Sequence, residues 1–140
     1  MEKYGLQFHH IGLALKNPDQ AAHFLKGLGY TIGEIIHDHL QGVNLIMCSC
    51  ETMPAIEIIF PDGNSGPLDN LLASRDQMIY HICYTSLNLE KSLKKLKDDK
   101  NRVICVSPAK PAILFDNKLV SFFMIKGFGL IEIIESKKNS

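Results

Sequence analysis

The sequence predicts an α+β fold built from two copies of a β-α-β-β-β unit. Two short apolar segments, 8–15 (Phe-His-His-Ile-Gly-Leu-Ala-Leu) and 79–86 (Ile-Tyr-His-Ile-Cys-Tyr-Thr-Ser), both contain a histidine followed by an isoleucine. Each segment is followed by a helix-like stretch and then by three apolar runs of strand length. The two halves also end alike, with Ala-Ile-Glu-Ile-Ile at 55–59 and Leu-Ile-Glu-Ile-Ile at 130–134. A unit repeated with these landmarks indicates an internal duplication.

The spacing of the landmarks supports this interpretation. His10 and His81 are 71 positions apart, and Glu57 and Glu132 are 75 positions apart. A change in loop length accounts for so small a difference. We therefore expect one domain over residues 1–140, with unit one at about 8–60, a linker at about 61–78 and unit two at about 79–135.

In the first unit, the helix is predicted to begin at Asn17 as the N-cap, with Pro18 in the first helical position and Gln20 in the third. Its apolar residues recur at helical spacing, namely Ala21, Phe24, Leu25 and Leu28, and Gly29 is a C-terminal stop. Three strands follow at about 30–37, 43–49 and 55–60. The linker begins with a run of turn formers from Pro61 to Pro67, and a short helix is predicted over 68–72.

In the second unit, Asn88 is the predicted helix cap, and Leu89, Leu93 and Leu96 share the face that would cover a sheet. Lysines and aspartates through Asp99 form the solvated face. Three strands are predicted at about 102–106, 119–125 and 129–135. The stretch between the first two, 107–118, contains two prolines and is expected to be irregular.

Composition excludes several classes of function. The chain carries 15 basic and 15 acidic residues, whereas a nucleic-acid surface needs a clustered basic excess. No apolar run reaches the roughly 20 residues needed to span a bilayer, and no apolar signal segment follows Met1. The four cysteines lie in strand-like runs without a C-x-x-C pair, so we expect small reduced core residues rather than a thiol site at Cys48–Cys50. A cytoplasmic protein without nucleic-acid or membrane partners is expected.

Four residues in this pattern point to a metal site. Side chains alternate between the two faces of a strand, so a glutamate between isoleucines faces away from them, as Glu57 and Glu132 would. A carboxylate on an apolar strand is costly unless it is paired or bound to a metal. Singly, each residue is better explained as a satisfied core histidine or a salt-bridged glutamate. As a matched set, His10, Glu57, His81 and Glu132 favour one six-coordinate divalent ion, for which nickel, cobalt, manganese and zinc all qualify.

With these residues in place, the chain resembles the vicinal oxygen chelate superfamily, which includes glyoxalase I, methylmalonyl-CoA epimerase and bleomycin resistance-like proteins. The resemblance covers about 8–135. It rests on His10-Ile-Gly and Ile-Glu57-Ile in the first unit, and on Tyr-His81-Ile-Cys-Tyr and Gly-Leu-Ile-Glu132-Ile in the second. It implies a curved, mainly antiparallel sheet around the metal site with helices outside, the same four residues as ligands, and a homodimer.

The resemblance also implies a chemistry. A glyoxalase I-like lyase converts the hemithioacetal of a 2-oxoaldehyde and a thiol into a 2-hydroxyacyl thioester through an enediolate, with the ion as Lewis acid. By resemblance, Glu132 is the first choice for general base and Glu57 for its partner in returning the proton. The expected partner is therefore a small substrate, a thiol adduct or an acyl thioester.

Two alternatives stay open, an acyl-CoA epimerase and a non-catalytic binding or resistance protein. Epimerases of the superfamily usually carry glutamine in place of Glu57 and a basic glutamate after a Gly-Val pair, where this chain has Leu45. The glyoxalase interpretation lacks an arginine cluster for the carboxylates of glutathione. Its basic candidates, Arg75, Arg102, Lys110 and Lys118, are better explained as surface charges. The resistance proteins often lack the ligand set, and a second metal site at His37-Asp38-His39 is disfavoured because it lies in a predicted turn.

Overall fold

The computed structural model describes residues 2–136, and this part of the chain contains eight strands and two α-helices. The α+β class expected from the sequence is confirmed. The chain divides into two compact units. The N-terminal unit runs from His10 to Tyr80, and the C-terminal unit combines the residues up to His9 with those from His81 onward.

The N-terminal unit is a four-stranded mixed sheet with one helix. Its elements are β1 (Leu6–Leu15, which enters this unit at His10), α1 (Asp19–Gly27), β2 (Thr31–Asp38), β3 (Val43–Ser49) and β4 (Ala55–Pro61). The strand order is β2-β3-β4-β1, with β2–β3 and β3–β4 antiparallel and β1–β4 parallel.

The C-terminal unit repeats this arrangement. Its elements are β5 (Gln77–Ser86, which enters this unit at His81), α2 (Leu89–Asp98), β6 (Val103–Ala112), a single 3-10 turn (Ile113–Phe115), β7 (Lys118–Ile125) and β8 (Gly129–Glu135). The order β5-β8-β7-β6 has the same parallel central pair, β5–β8, and two antiparallel pairs. Each sheet is therefore mainly antiparallel, as predicted.

Each helix covers one face of its own sheet, because that face is the apolar one. In the N-terminal unit, Leu25 of α1 lies in a cluster with Leu15, Ile46 and Ile58. In the C-terminal unit, a matching cluster joins the helix residues Leu89 and Leu93 to sheet residues of β7 and β8, namely Phe123, Ile125, Ile131 and Ile133. The isoleucines on either side of Glu57 and Glu132 thus pack toward the helices.

The helix caps follow the predicted residues at one helix and differ at the other. Asn88 caps α2 as expected, and its side-chain oxygen accepts a hydrogen bond from the backbone N–H of Lys91 at 3.0 Å. At α1 the N-cap position is Pro18, and the first helical residue is Asp19 rather than the proline. Asn17 still satisfies one free donor, because its side-chain oxygen accepts from the backbone N–H of Asp19 at 2.9 Å.

Two predictions for connecting segments are wrong. The stretch 107–118 was expected to be irregular, but β6 continues to Ala112, with register shifts between Cys105 and Ser107 and between Ser107 and Lys110. Because β6 ends the strand order, residues on its outer side need no backbone donor, and the prolines are tolerated. The segment 68–72 forms turns rather than a helix, with Leu68 and Leu72 buried as anchors.

Candidate functional site

The N-terminal unit carries a buried imidazole–carboxylate pair on the sheet face that lies opposite α1. His10 of β1 and Glu57 of β4 are 0% and 2% exposed, and His10 Nε2 lies 3.7 Å from Glu57 Oε2. Parallel pairing places Gly12 beside Glu57, and His10 is two residues before Gly12, so both side chains share one face. The opposite face carries Ile58 and packs on α1.

The C-terminal unit carries the equivalent pair. His81 of β5 and Glu132 of β8 are each 2% exposed, and His81 Nε2 lies 3.5 Å from Glu132 Oε1. Cys83, two residues after His81, is the register partner of Glu132, so His81, Cys83 and Glu132 share a face. Duplicated strands have placed the same two residue types in the same arrangement in each unit.

The chemistry of these pairs fits a cation. In each pair the nitrogen–oxygen separation, 3.7 Å for His10–Glu57 and 3.5 Å for His81–Glu132, exceeds the roughly 2.7–3.2 Å of a normal N–H···O hydrogen bond. A buried carboxylate needs a compensating charge or several hydrogen bonds. Each pair supplies one imidazole and one carboxylate, donor types that suit zinc, nickel, cobalt or manganese.

Apolar and aromatic side chains surround the C-terminal pair. The ring of Phe122 meets the ring of His81 edge to face, with 5.3 Å between centroids, and Phe122 is the register partner of Glu132. Cys83 packs with a small cluster on this face, namely Ala112, Val120, Ile134 and Phe115. Water is therefore excluded from one side of the imidazole and the carboxylate.

Sequence reasoning missed several of these neighbours. Phe122 in the C-terminal unit corresponds to Met47 in the N-terminal unit, since each is the register partner of the glutamate. The same offset of 75 positions that relates Glu57 to Glu132 also relates Met47 to Phe122, so the repeat contained this signal. Nothing in the sequence pattern marked His9 as part of these surroundings. Its ring stacks edge to face on Phe115 at 5.4 Å, and its ring nitrogen lies within 4.8 Å of the Cys83 sulfur.

The structure explains the other candidate sites by ordinary contacts. Asp38 is buried and directed at its own turn, where it accepts hydrogen bonds from the backbone N–H groups of Leu40 and Gln41. The Nδ1 atom of His37 lies 3.0 Å from the side-chain oxygen of Asn44. The His37-Asp38-His39 segment thus organises the β2–β3 turn. Of the basic candidates, Arg75, Arg102 and Lys110 are exposed and Lys118 is half-buried.

The cysteines follow the expectation only in part. All four are free thiols, and Cys48 and Cys83 are buried as expected of small core residues. Cys50 is half-buried and Cys105 is exposed on β6. In the described part of the chain, neither helix has the length and apolar character needed to cross a bilayer.

Comparison with known proteins assigns the family. Residues 9–122 match the family model described as the glyoxalase/bleomycin resistance protein/dioxygenase superfamily. The chain belongs to this superfamily. The match includes His10, Glu57 and His81 and ends before Glu132. No curated protein matches the sequence significantly.

Solved structures of similar fold agree with this membership. A methylmalonyl-CoA epimerase from Mycobacterium tuberculosis has a TM-score of 0.73 at 20% identity, covering 97% of this chain and 90% of that one. A hypothetical protein from Bacillus halodurans has a TM-score of 0.76 at 19% identity, with coverages of 96% and 97%. A variant Streptomyces coelicolor methylmalonyl-CoA epimerase in complex with 2-nitronate-propionyl-CoA has a TM-score of 0.69 at 18% identity, with coverages of 94% and 98%. At these identities the likeness concerns the fold.

Proposed function

We propose that this superfamily member is a metal-dependent enzyme in which His10, Glu57, His81 and Glu132 together hold one divalent ion. The observation that carries the proposal is the presence of a buried His–Glu pair at equivalent positions of both units. One such pair has an ordinary explanation as a buried ion pair, whereas the same pair at matching places in two units favours a shared role. When bound, the ion supplies Lewis acidity that stabilises negative charge on a substrate oxygen.

The reaction we propose is that of a glyoxalase I-like lyase. Its substrate is the hemithioacetal of a 2-oxoaldehyde and a thiol, and its product is the isomeric 2-hydroxyacyl thioester. Glu132 removes the proton from the carbon that bears sulfur and hydroxyl, and Glu57 delivers a proton to the neighbouring carbonyl carbon. The hydroxyl proton of the first carbon also passes to the former carbonyl oxygen, so substrate and product are isomers and no oxidant or co-reactant is needed.

The assignment of glutamates as bases is supported by the side chains around Glu57. Leu45, at the position where epimerases of the superfamily carry a separate basic glutamate, is 4% exposed and pairs in register with Ile59. Ile59 and Met47 also neighbour Glu57 on this face, and Gly12 lies beside it on β1. None of these three residues has a side chain that can transfer a proton, which supports Glu57 itself in that role.

A second candidate is an epimerase acting on an acyl-CoA. It is favoured by the solved structures, since two of the similar proteins described above are methylmalonyl-CoA epimerases. It needs the same elementary step, removal of a proton from the carbon next to a thioester carbonyl. Leu45 counts against it, because the second base of that reaction would have to come from Glu57 or Glu132.

The first experiment separates metal binding from proton transfer. Glu132→Gln keeps a donor oxygen but removes the base, so we expect turnover of the methylglyoxal hemithioacetal to fall by roughly 10²–10⁴-fold while one divalent ion per chain remains bound. The assay uses nickel- and zinc-loaded protein with methylglyoxal and several thiols, and metal content is measured by mass spectrometry. Glu51→Gln, at an exposed position, is the matched control. Full activity of Glu132→Gln would remove the base role.

The second experiment distinguishes the two reactions. Incubation with a 2-methylacyl-CoA in D₂O should leave its α-carbon unlabelled if the enzyme is a lyase acting on hemithioacetals, and labelled if it is an epimerase. Nuclear magnetic resonance of the recovered thioester reads the outcome. Absence of a stoichiometric ion after purification and reconstitution would contradict both reactions and favour a non-catalytic binding protein.

A further inference from the structure

In each unit a row of side chains crosses the sheet from the buried histidine to the last strand of the unit. In the N-terminal unit, His10 pairs in register with Ala55, and Ser49 pairs with Thr31. The β3–β4 register continued by one step from Cys48–Ile56 brings Ser49 beside Ala55. The N-terminal row therefore consists of Ala55, Ser49 and Thr31.

The C-terminal unit has the same row with different residues. The β5–β8 register, taken back one step from Ile82–Ile131, brings His81 beside Leu130. Leu130 pairs with Met124, and Met124 pairs with Ile104. The C-terminal row therefore consists of Leu130, Met124 and Ile104, and it ends on β6 as the N-terminal row ends on β2.

The two rows occupy equivalent places but differ in chemistry. The offset of 75 positions that relates the two glutamates also relates Ser49 to Met124 and Ala55 to Leu130. The N-terminal row has small side chains, with hydroxyls at Ser49 and Thr31, and the C-terminal row has large apolar side chains. Core packing does not account for the apolar row, since Met124 is 39% exposed and Ile104 is 58% exposed. The duplication has thus kept the metal-ligand residue types and diverged beside them.

The apolar row borders the C-terminal His–Glu pair. Leu130 is two residues from Glu132 on β8, so both side chains stand on one face about 6.6 Å apart along the strand. Phe122, which meets His81, is likewise two residues from Met124 on β7. Apolar side chains therefore follow one another in register on this face, from beside the ligand pair on β8 to β6 at the end of this unit's sheet.

We propose that the C-terminal row is a specificity wall that receives the apolar substituent of a 2-oxo compound whose oxygens are held at the metal-ligand residues. The inference rests on the proposed function and names the substrate class, an aliphatic or aryl 2-oxo compound rather than a small polar one. From β8 to β6 the row crosses two interstrand spacings, roughly 10 Å, about the length of an extended eight-carbon chain. Continuity with His81 and Glu132 favours substrate over a second copy of the chain as the occupant.

The test compares the binding of a short and a long 2-oxo acid. Isothermal titration calorimetry of zinc-loaded protein measures Kd for pyruvate and for 2-oxooctanoate. We expect the wild-type chain to bind 2-oxooctanoate at least about tenfold more tightly, because each buried methylene adds hydrophobic free energy. The double variant Met124→Ser, Ile104→Thr carries the two outer residues of the N-terminal row and keeps Leu130, and it should lose this preference to within about twofold, with the Kd for pyruvate unchanged.

A matched variant and a mass measurement complete the test. Ile113→Thr removes an equally exposed isoleucine, 52% against 58% for Ile104, outside the row, and should leave both Kd values unchanged. Two outcomes would contradict the proposed role of the row without affecting the proposed function. One is a double variant that keeps the preference, and the other is a wild-type chain that binds pyruvate but lacks the preference. Failure of the wild-type protein to bind either acid overturns the proposed role of the row, whereas the proposed function is tested separately by turnover of the methylglyoxal hemithioacetal. If the double variant keeps the preference but sediments as a smaller assembly than the wild-type protein, the row is a contact between copies of the chain.

Discussion

Two cysteines separated by a single residue near the end of β3 lie in opposite environments. Cys48 is buried against α1, and burial raises the pKa of its thiol. Cys50 lies beyond the strand, where hydrogen bonds from the backbone and side chain of Thr52 lower the pKa of its thiol. The thiolate fraction at a given pH is therefore larger at Cys50 than at Cys48, and so is access by a reagent.

We predict that iodoacetamide at pH 7.5 alkylates Cys50 well before Cys48. Peptide mass spectrometry over a time course gives the two rates. In Thr52→Val the hydroxyl is lost and the backbone N–H remains, so alkylation of Cys50 should slow without stopping. Equal rates at the two cysteines in the folded wild-type chain would contradict the assignment of Cys48 to the core.

The exposed Cys105 shows where residue-level reasoning from the sequence stops. An apolar strand-like run predicts small buried thiols, and this is correct for Cys48 and Cys83. Cys105 lies on β6, which ends the strand order and carries other exposed apolar residues, namely Ile104 and Val106. Composition alone does not distinguish a central strand from an edge strand, because that depends on pairing order.

At the scale of elements, the two helix starts use asparagine differently. Asn88 occupies the N-cap position in an extended conformation and accepts from Lys91 three residues later. Asn17 lies one residue before its N-cap, Pro18, and accepts from Asp19. The capping bond at Asn88 satisfies one of the four free N–H groups of the first turn of α2.

We predict that Asn88→Ala lowers the free energy of unfolding by about 1 kcal/mol, the usual cost of a lost N-cap. Asn88→Ser keeps a capping oxygen and should recover most of the loss. Urea denaturation followed by circular dichroism measures both variants. Asn70→Ala, at an exposed position between β4 and β5, is the control and should change the free energy by less than about 0.5 kcal/mol. An Asn88→Ser variant as unstable as Asn88→Ala would exclude capping as the cause.

The last strands in sequence of the two units, β4 and β8, should contribute similarly to the free energy of unfolding. Ile58 and Ile133 are both 0% exposed and 75 positions apart, and each lies between its helix and its sheet. We expect Ile58→Ala and Ile133→Ala each to cost about 2–5 kcal/mol, through lost burial and the cavity left behind. The valine variants should each cost about 0.5–1.5 kcal/mol. Equilibrium unfolding gives these values, and a near-zero cost at either position would contradict its place in the core.

The sequence predicted the elements well where a repeat or a cap marked them. The strands of the N-terminal unit begin and end within one residue of the predicted bounds except at β1, which begins at Leu6. The prediction failed at β6, because its prolines suggested a loop. The strand tolerates them because it pairs with β7 on one side only. It also failed at 68–72, where the spacing of Leu68 and Leu72 is compatible with a helix but the segment forms turns.

At the scale of the whole molecule, the duplication carried most of the functional argument. It marked His10 and Glu57, and separately His81 and Glu132, in the sequence alone, and each pair is buried in its unit. Matching residues between the two halves could not show where the halves differ. The apolar and polar rows become visible only when the strand registers of the two units are compared, because their members are scattered over three strands each.

A shared ion makes a prediction about stability that does not depend on knowing the substrate. A ligand that binds only the folded chain stabilises it by about 2.7 kcal/mol at a concentration 100 times its Kd, which raises the Tm of a chain of this size by on the order of 10 °C. We therefore expect Zn²⁺ or Ni²⁺ to raise the Tm of metal-free protein by that amount, measured by scanning calorimetry with and without ion.

The variants decide whether both units contribute to that shift. If one ion uses donors from each pair, His10→Ala in the N-terminal unit and His81→Ala in the C-terminal unit should each remove most of the rise, whatever they do to the Tm without ion. His23→Ala, at an exposed position on α1, should keep it in full. If the rise in Tm survives in either ligand variant, the two pairs act independently. The shared ion, on which both the proposed lyase and the proposed epimerase depend, would then be excluded.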